Sequence, residues 1–422
     1  MQALLVLYMV EFLLLPAHVG SVAGLPGLRR AIESITGPLS PQALASQIFG
    51  LYVGLVFFTP VIGGLIGDRF LGRRHTVVLG ALLLTVGHFC MSFERPFLMA
   101  LLLILLGAGC LRGNLLAQVG NLYQPDDRRR ADGYQIYVAM LNSGALFAPL
   151  ITGALAATWG WHYGFSFAAF GMLAGLAIYL SGQRYLPADP PRDTSLARRR
   201  LDKGERRTVA VLLLMLPLFS LFWIAQSQVW NTYNIWARDH VDLSVGHWTI
   251  PVAWLQTADG VGAVAMMPPL VLFWRWQAAR GKEPDEYTKI AIGCLFYGAL
   301  IAWLALGSLF VNDAGKIPLA WVLAFHVVSQ IGYLYVSPTA VALFSRTAPA
   351  AVNGTMVNVY YASAFLGSTI SGRLGGLYER LPSSMFWLLH AGIAAAGGVL
   401  MLLFAPSLRR ALLRSMASQG AT

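Results

Sequence analysis

The chain has 422 residues, of which 57% are hydrophobic and only 12% charged, and its mean hydropathy is +0.61. So little polar surface excludes a water-soluble enzyme or adaptor of this length and makes a bilayer the expected solvent. The formal net charge of +11 sits in short polar segments between apolar runs, so the basic residues mark topology and not nucleic-acid binding.

A membrane-crossing helix needs about 20 apolar residues. Runs of that kind are predicted at 1–17, 43–67, 76–93, 97–119, 134–157 and 162–182, then at 208–236, 249–274, 289–311, 317–344, 353–377 and 384–405. This predicts an all-α membrane protein with twelve transmembrane helices in two six-helix bundles. The expected divisions are an N-terminal bundle over 1–183, a basic, proline-containing cytoplasmic linker over 184–207, a C-terminal bundle over 208–406 and a cytoplasmic tail over 407–422.

The first run, QALLVLYMVEFLLLP from Gln2 to Pro16, has neither the basic flank nor the small-residue cleavage site of a signal peptide. At about 1.5 Å per residue it covers some two-thirds of the hydrocarbon core, so the first helix is expected to be truncated at its N-terminus, with upstream sequence missing. With the amino terminus inside, the cytosolic segments collect 22 of the 30 Lys and Arg residues. The opposite side holds only Arg29, Arg30, Arg95, Arg238, Lys316 and Arg380. Both termini are therefore expected in the cytoplasm of a multi-pass protein, as suits a bacterial inner membrane.

Cys90, Cys110 and Cys294 all fall in apolar runs, which predicts packing and neither a disulfide framework nor a metal site. The chain has no phosphate-binding glycine loop, nucleophile elbow or zinc-binding His pair. An ATP-driven pump and a membrane enzyme are thereby disfavoured, and no cofactor is expected.

Between the second and third runs lies GGLIGDRFLGRR, Gly63–Arg74. Its glycines permit close helix approach, Asp68 can face a helix N-terminus, and Arg69, Arg73 and Arg74 hold the cytosolic side. It resembles the gating loop of major facilitator superfamily transporters. Further stretches narrow the likeness: GAGCLRGNLLAQVGNLY from Gly107, DDRRRADGYQIYVAMLNSGALFAPLITG through Gly153, GWHYGF, FWIAQSQ at Phe222–Gln228, IPVAWLQTADG at Ile250–Gly260, YVSPTAVAL from Tyr335 and RTAPAAVNGTM through Met356. Together these resemble the proton-dependent oligopeptide transporter family over essentially the whole chain. The short connector lacks the two additional helices that many bacterial members carry between the halves.

The resemblance implies a secondary transporter that takes up di- and tripeptides with protons by alternating access between the two bundles. A zwitterionic peptide independently demands a cation for its carboxylate, an acceptor for its amine and tolerant walls. Arg112 lies in the fourth apolar run, where a charge costs roughly 2.5–3.5 kcal/mol and a functional role is the default. It replaces the family's lysine and is the candidate for the carboxylate. A guanidinium stays protonated, so Arg112 cannot release the transported proton as a lysine can. Asp259, where the family has asparagine, is the candidate for the amine and for a proton site, with a structural ion pair to Arg112 as the alternative.

The resemblance also assigns Asn142 to the peptide backbone and Trp223 and Tyr360 to the pocket walls. Gln256 and Tyr52 are further candidate lining residues, with interhelical bonding or packing as their alternatives. Glu11, the one acid of the first run, is a second proton-coupling candidate. Departures from the family are equally specific. Its first-span acidic and arginine signature would precede the start of this chain, Ser227 and Tyr333 stand where the seventh- and tenth-span glutamates are expected, and Phe57 replaces a tyrosine. These losses leave two alternatives open: an inactive or sensor-like relative, and a transporter of another small zwitterion or anion. The expected partners are small peptides, protons and lipid, with no nucleic acid, and a monomer is expected.

Overall fold

The computed structural model describes residues 2–123, 127, 129–187, 201–349 and 352–419. Residues 188–200 of the expected linker, and Arg128 of the basic cluster, lie outside them. The chain divides into two compact units, one of residues 1–192 with 251–257 and the other of residues 193–250 with 258–422.

In the first unit, α1 (Gln2–Tyr8) widens into a π-helical turn at Met9–Leu13 that carries Glu11. Tyr8 is fully buried and anchors this segment, its ring 5.9 Å from that of Phe97 and 5.1 Å from that of Phe165. The stretch between the first two apolar runs holds a helix absent from the prediction, α2 (Leu25–Thr36). Only Leu25 of α2 is buried; an Arg29–Glu33 pair at 2.9 Å stabilises the helix, which ends at Gly37 with φ 78°. Next, α3 (Pro41–Ile66) starts where the Ser40 hydroxyl accepts a hydrogen bond from the Ala43 amide at 3.1 Å and Pro41 occupies the first turn. It continues into a π-helical turn at Gly67–Leu71, and Gly72 (φ 77°) redirects the chain into α4 (Arg73–Cys90). α5 (Phe97–Asn121), α6 (Arg129–Trp159) and α7 (Trp161–Gly182) follow, the last two joined at Gly160 (φ 101°).

The second unit opens with α8 (Lys203–Gln228), which begins inside the expected linker. Asp202 and Glu205 form a reciprocal capping box there: each carboxylate accepts from the other residue's amide, at 2.7 and 3.0 Å. The seventh apolar run is broken at 229–231, where Asn231 leaves helical geometry, and resumes as α9 (Thr232–His240). A two-stranded hairpin, β1 (Ser244–Val245) and β2 (Trp248–Thr249), ends at the expected start of the eighth span and is followed by a 3-10 turn at Val252–Trp254, so α10 (Leu255–Ala279) begins later than predicted. Then come α11 (Glu286–Leu306), α12 (Leu319–Thr347), α13 (Asn353–Tyr360), α14 (Ala362–Gly375) and α15 (Ser383–Gln419). The expected eleventh span is thus split at Tyr361, and the helix of the twelfth continues through most of the expected tail.

Among the described residues, nine helices are long and apolar enough to cross a membrane. Three expected spans fall short of that measure: the first is a short apolar helix over Gln2–Leu13, the third is the 18-residue α4, and the eleventh is the broken α13–α14 pair. Prolines interrupt α3, α6, α8, α10, α12 and α15, a pattern tolerated where neighbouring helices satisfy the freed carbonyls.

Close glycine contacts set the packing in both units. A Cβ on Gly63 of α3 would lie 2.1 Å from the Gly109 carbonyl oxygen of α5, and one on Gly107 of α5 would lie 2.7 Å from that of Gly80 in α4. In the second unit a Cβ on Gly293 of α11 would lie 2.9 Å from the Gly332 carbonyl oxygen of α12. The same two helices are joined further along by Trp303 and Trp321. Their rings stack at 3.8 Å, and each indole N–H donates to the other's backbone carbonyl, at 3.1 and 3.0 Å.

Candidate functional site

Arg112 projects from α5 and is exposed. Among the described residues it makes no hydrogen bond or ion pair, while its charge acts on Tyr52 of α3 and Tyr137 of α6. Tyr52 is buried, and Asn142 stands exposed on α6. Gln256 is buried in the 251–257 segment, which α6 holds at two points. The Trp254 indole donates to the Leu150 carbonyl at 3.0 Å, and the Thr257 hydroxyl donates to that of Leu146 at 3.4 Å. An unpaired guanidinium can grip a carboxylate through two parallel hydrogen bonds. Glu11 is half-buried in its π-helical turn.

Of the four residues expected in the gating motif, three make polar contacts. Arg73 Nε donates to Asp68 Oδ1 at 3.2 Å across the start of α4, and Arg74 Nη2 donates to the carbonyls of Leu186 and of Pro187, the latter at 2.7 Å. Arg69 is exposed. Asn114, two residues after Arg112 and about one helical turn after Cys110, donates from Nδ2 to the Gly63 carbonyl at 3.0 Å and to that of Cys110 at 2.9 Å. A Cβ on Gly67 would lie 2.1 Å from Asn114 Oδ1, so the motif's glycines are what bring this loop against α5.

In the second unit Asp259 is part of a buried polar chain that sequence reasoning missed. His326 Nδ1 lies 2.8 Å from Asp259 Oδ1, Gln330 Nε2 donates to the same oxygen at 3.0 Å, and His326 Nε2 lies 2.8 Å from the Tyr233 hydroxyl. His326 and Tyr233 are wholly buried, and Asp259 nearly so. An imidazole in an apolar run was the available signal, since buried ionisable groups in membrane helices are rare and costly.

Trp223, Tyr333 and Tyr360 share this unit. The Trp223 and Tyr333 rings meet edge-on at 6.4 Å, and Tyr333 feels the Asp259 charge. Tyr360 is fully buried, 5.4 Å from the Phe219 ring and 5.7 Å from that of Phe344. Ser227, at the position where an acid is expected, shares a 2.8 Å hydrogen bond with Ser368 of α14. The adjacent Gln228 donates to the Ser371 carbonyl at 2.7 Å. This part of α8 therefore serves helix packing.

Comparison with known proteins identifies the lineage. The model of the POT family matches residues 74–202 and 196–391. A peptide transporter of Yersinia enterocolitica, YePEPT, is 26% identical, with 90% of this chain and 89% of that protein covered. An uncharacterised transporter of Bacillus subtilis, YclF, is 25% identical over 90% of this chain and 89% of its own. A di-/tripeptide transporter of Lactococcus lactis is 25% identical over 86% of each chain. Among solved structures, a peptide transporter POT in complex with sulfate aligns with a TM-score of 0.82 at 22% identity, covering 97% of this chain and 91% of that one. A POT family transporter in complex with 5-aminolevulinic acid aligns with a TM-score of 0.81 at 24% identity, covering 96% and 92%. These relatives are transporters and not enzymes, and the fold they share with this chain is that of the major facilitator superfamily. The chain is a multi-pass membrane protein and belongs to the POT family.

Proposed function

We propose that this protein is a proton-coupled symporter that takes up di- and tripeptides by alternating access, in a bacterial inner membrane with both termini in the cytoplasm. The observation that carries the reading is Arg112: a permanently charged side chain in an apolar helix, with no hydrogen bond or ion pair among the described residues and with its charge felt by Tyr52 and Tyr137. Such a group is costly unless a ligand uses it. Its partner is the peptide carboxylate. The peptide amine goes to Asp259, whose Oδ2 is buried with no hydrogen-bond donor among the described residues. Asn142 and Gln256 bond the peptide backbone, and Trp223, Tyr333, Tyr360 and Tyr52 form tolerant walls. The proton gradient supplies the energy without a resident cofactor, and the protein works as a monomer in contact with lipid. Named relatives support the substrate class, since two of them are peptide transporters.

The Ser227–Ser368 contact favours a second reading, transport of a different small zwitterion, because it fills with packing a position where the family resemblance implies an acid. Thermal-shift titration of the purified protein separates the two. Stabilisation by dialanine and trialanine that Arg112→Ala removes supports the peptide reading. Stabilisation by a non-peptide zwitterion alone supports the second.

A further inference from the structure

The chain of Tyr233, His326, Asp259 and Gln330 spans α9, α12 and α10 and lies wholly within one unit. Its hydrogen bonds fix the proton positions. If Asp259 is ionised, His326 Nδ1–H donates to Oδ1 at 2.8 Å, and the neutral ring's Nε2 accepts the Tyr233 hydroxyl proton at 2.8 Å. The Gln330 amide adds a second donor to Oδ1, whereas Oδ2 is buried with none among the described residues. In this state the cluster carries one negative charge that is only partly compensated, in a bundle interior where isolated charge is expensive.

Adding one proton to Nε2 converts the ring to imidazolium and makes the Asp259–His326 pair neutral overall. The Tyr233 hydroxyl accommodates the change because it can accept from Nε2–H and turn its own proton away. Both states keep the Nδ1–Oδ1 and Gln330–Oδ1 bonds. Tyr233 sits two residues beyond the break at Asn231, so the change of donor falls at the joint between α8 and α9.

The other groups facing the pair are neutral phenols: Tyr297 on α11 and Tyr333 on α12 both feel the Asp259 charge. On α15, Trp387 meets the Tyr233 ring at 6.2 Å, and His390 is turned through Nδ1 to the Phe386 carbonyl at 2.8 Å. Among the described residues no lysine or arginine pairs with Asp259.

We infer that the Asp259–His326 pair, relayed through Tyr233, is the group that takes up and releases the driving proton, in place of the acids that α8 and α12 lack at Ser227 and Tyr333. The inference rests on the proton-driven reading for its purpose, but the titration itself requires no substrate.

The test uses the full chain with isotope-labelled histidine in lipid nanodiscs, followed by infrared spectroscopy across pH. A histidine signal that reports a change of protonation is expected across the pH range over which the gradient drives transport. It should vanish in His326→Gln and move in Tyr233→Phe, in which the hydroxyl is lost but the ring remains. In proteoliposomes, His326→Gln should lower gradient-driven accumulation of labelled dialanine at least tenfold while dialanine counterflow continues. A wild-type spectrum in which His326 keeps one protonation state across that range overturns the inference, as does a His326→Gln variant that accumulates dialanine like the wild type. If dialanine is moved by no variant while His326 titrates, the peptide reading fails and the proton site stands.

Discussion

Arg112 and Asp259 carry opposite charges into apolar helices and are accommodated differently. Asp259 is held by His326 and Gln330, whereas Arg112 has no such bond among the described residues. Arg112→Ala is therefore expected to weaken dipeptide binding roughly 10- to 100-fold, the loss of a charge-assisted hydrogen-bonded pair. Arg112→Lys, which keeps the charge but not the planar fork, should lose less; isothermal calorimetry in detergent checks both. Outside the membrane-spanning segments, Glu94 gives a pH prediction. Partial burial raises its pKa, but hydrogen bonds from Ser21 at 2.7 Å and His18 at 3.1 Å outweigh this and leave it below the ordinary carboxylate value. A depressed carboxylate contributes stability above its ordinary pKa of about 4.5 and loses it as pH falls through the folded value. The melting-temperature difference between wild type and Glu94→Gln should accordingly be present at pH 7 and shrink in that acidic range. The sequence shows Arg112 and Asp259 plainly, as charges in apolar runs. It conceals His326, because a neutral imidazole passes for core and its partners Asp259 and Tyr233 lie 67 and 93 positions away.

Helices 3, 4 and 5 approach one another through backbone and not through side chains. At Gly63 an added Cβ would meet the Gly109 carbonyl oxygen at 2.1 Å, and a backbone carbonyl cannot swing aside as a flexible side chain can. Gly63→Ala should therefore cost about 1–3 kcal/mol, the range for overpacking, measured as a lowered midpoint in reversible denaturation from mixed micelles. Gly64 on the same helix has open space at its Cβ position, so Gly64→Ala is the matched control and should be nearly neutral. Most helices were legible from apolar run length alone. The breaks were not: Gln228, Asn231 and Asn234 make the seventh run locally polar without showing where it leaves helical geometry, and nothing in the residues around Tyr361 marks a break there. α2 was hidden for the opposite reason, since its largely exposed, amphipathic pattern reads as a polar connection. In the glycine-rich Gly63–Arg74 loop the Asp68–Arg73 contact joins residues five apart, close enough in sequence to be anticipated.

On the scale of the whole molecule, composition and periodic apolar runs reveal a multi-pass helical protein, and motifs spread along the chain reveal the family, as the match over 74–202 and 196–391 bears out. The substrate is less legible, because recognition depends on which side chains converge and not on their types, and two expected acids are replaced by Ser227 and Tyr333. The proposed symport makes one demand: an inward proton gradient must drive a small peptide uphill. The most direct measurement is uptake of labelled dialanine into proteoliposomes containing the purified chain, with and without an inside-alkaline gradient. Accumulation above the external concentration that needs the gradient, and that a protonophore abolishes, is the predicted result. Uptake that merely equilibrates and ignores the gradient, or binding of dialanine with no entry, would contradict it.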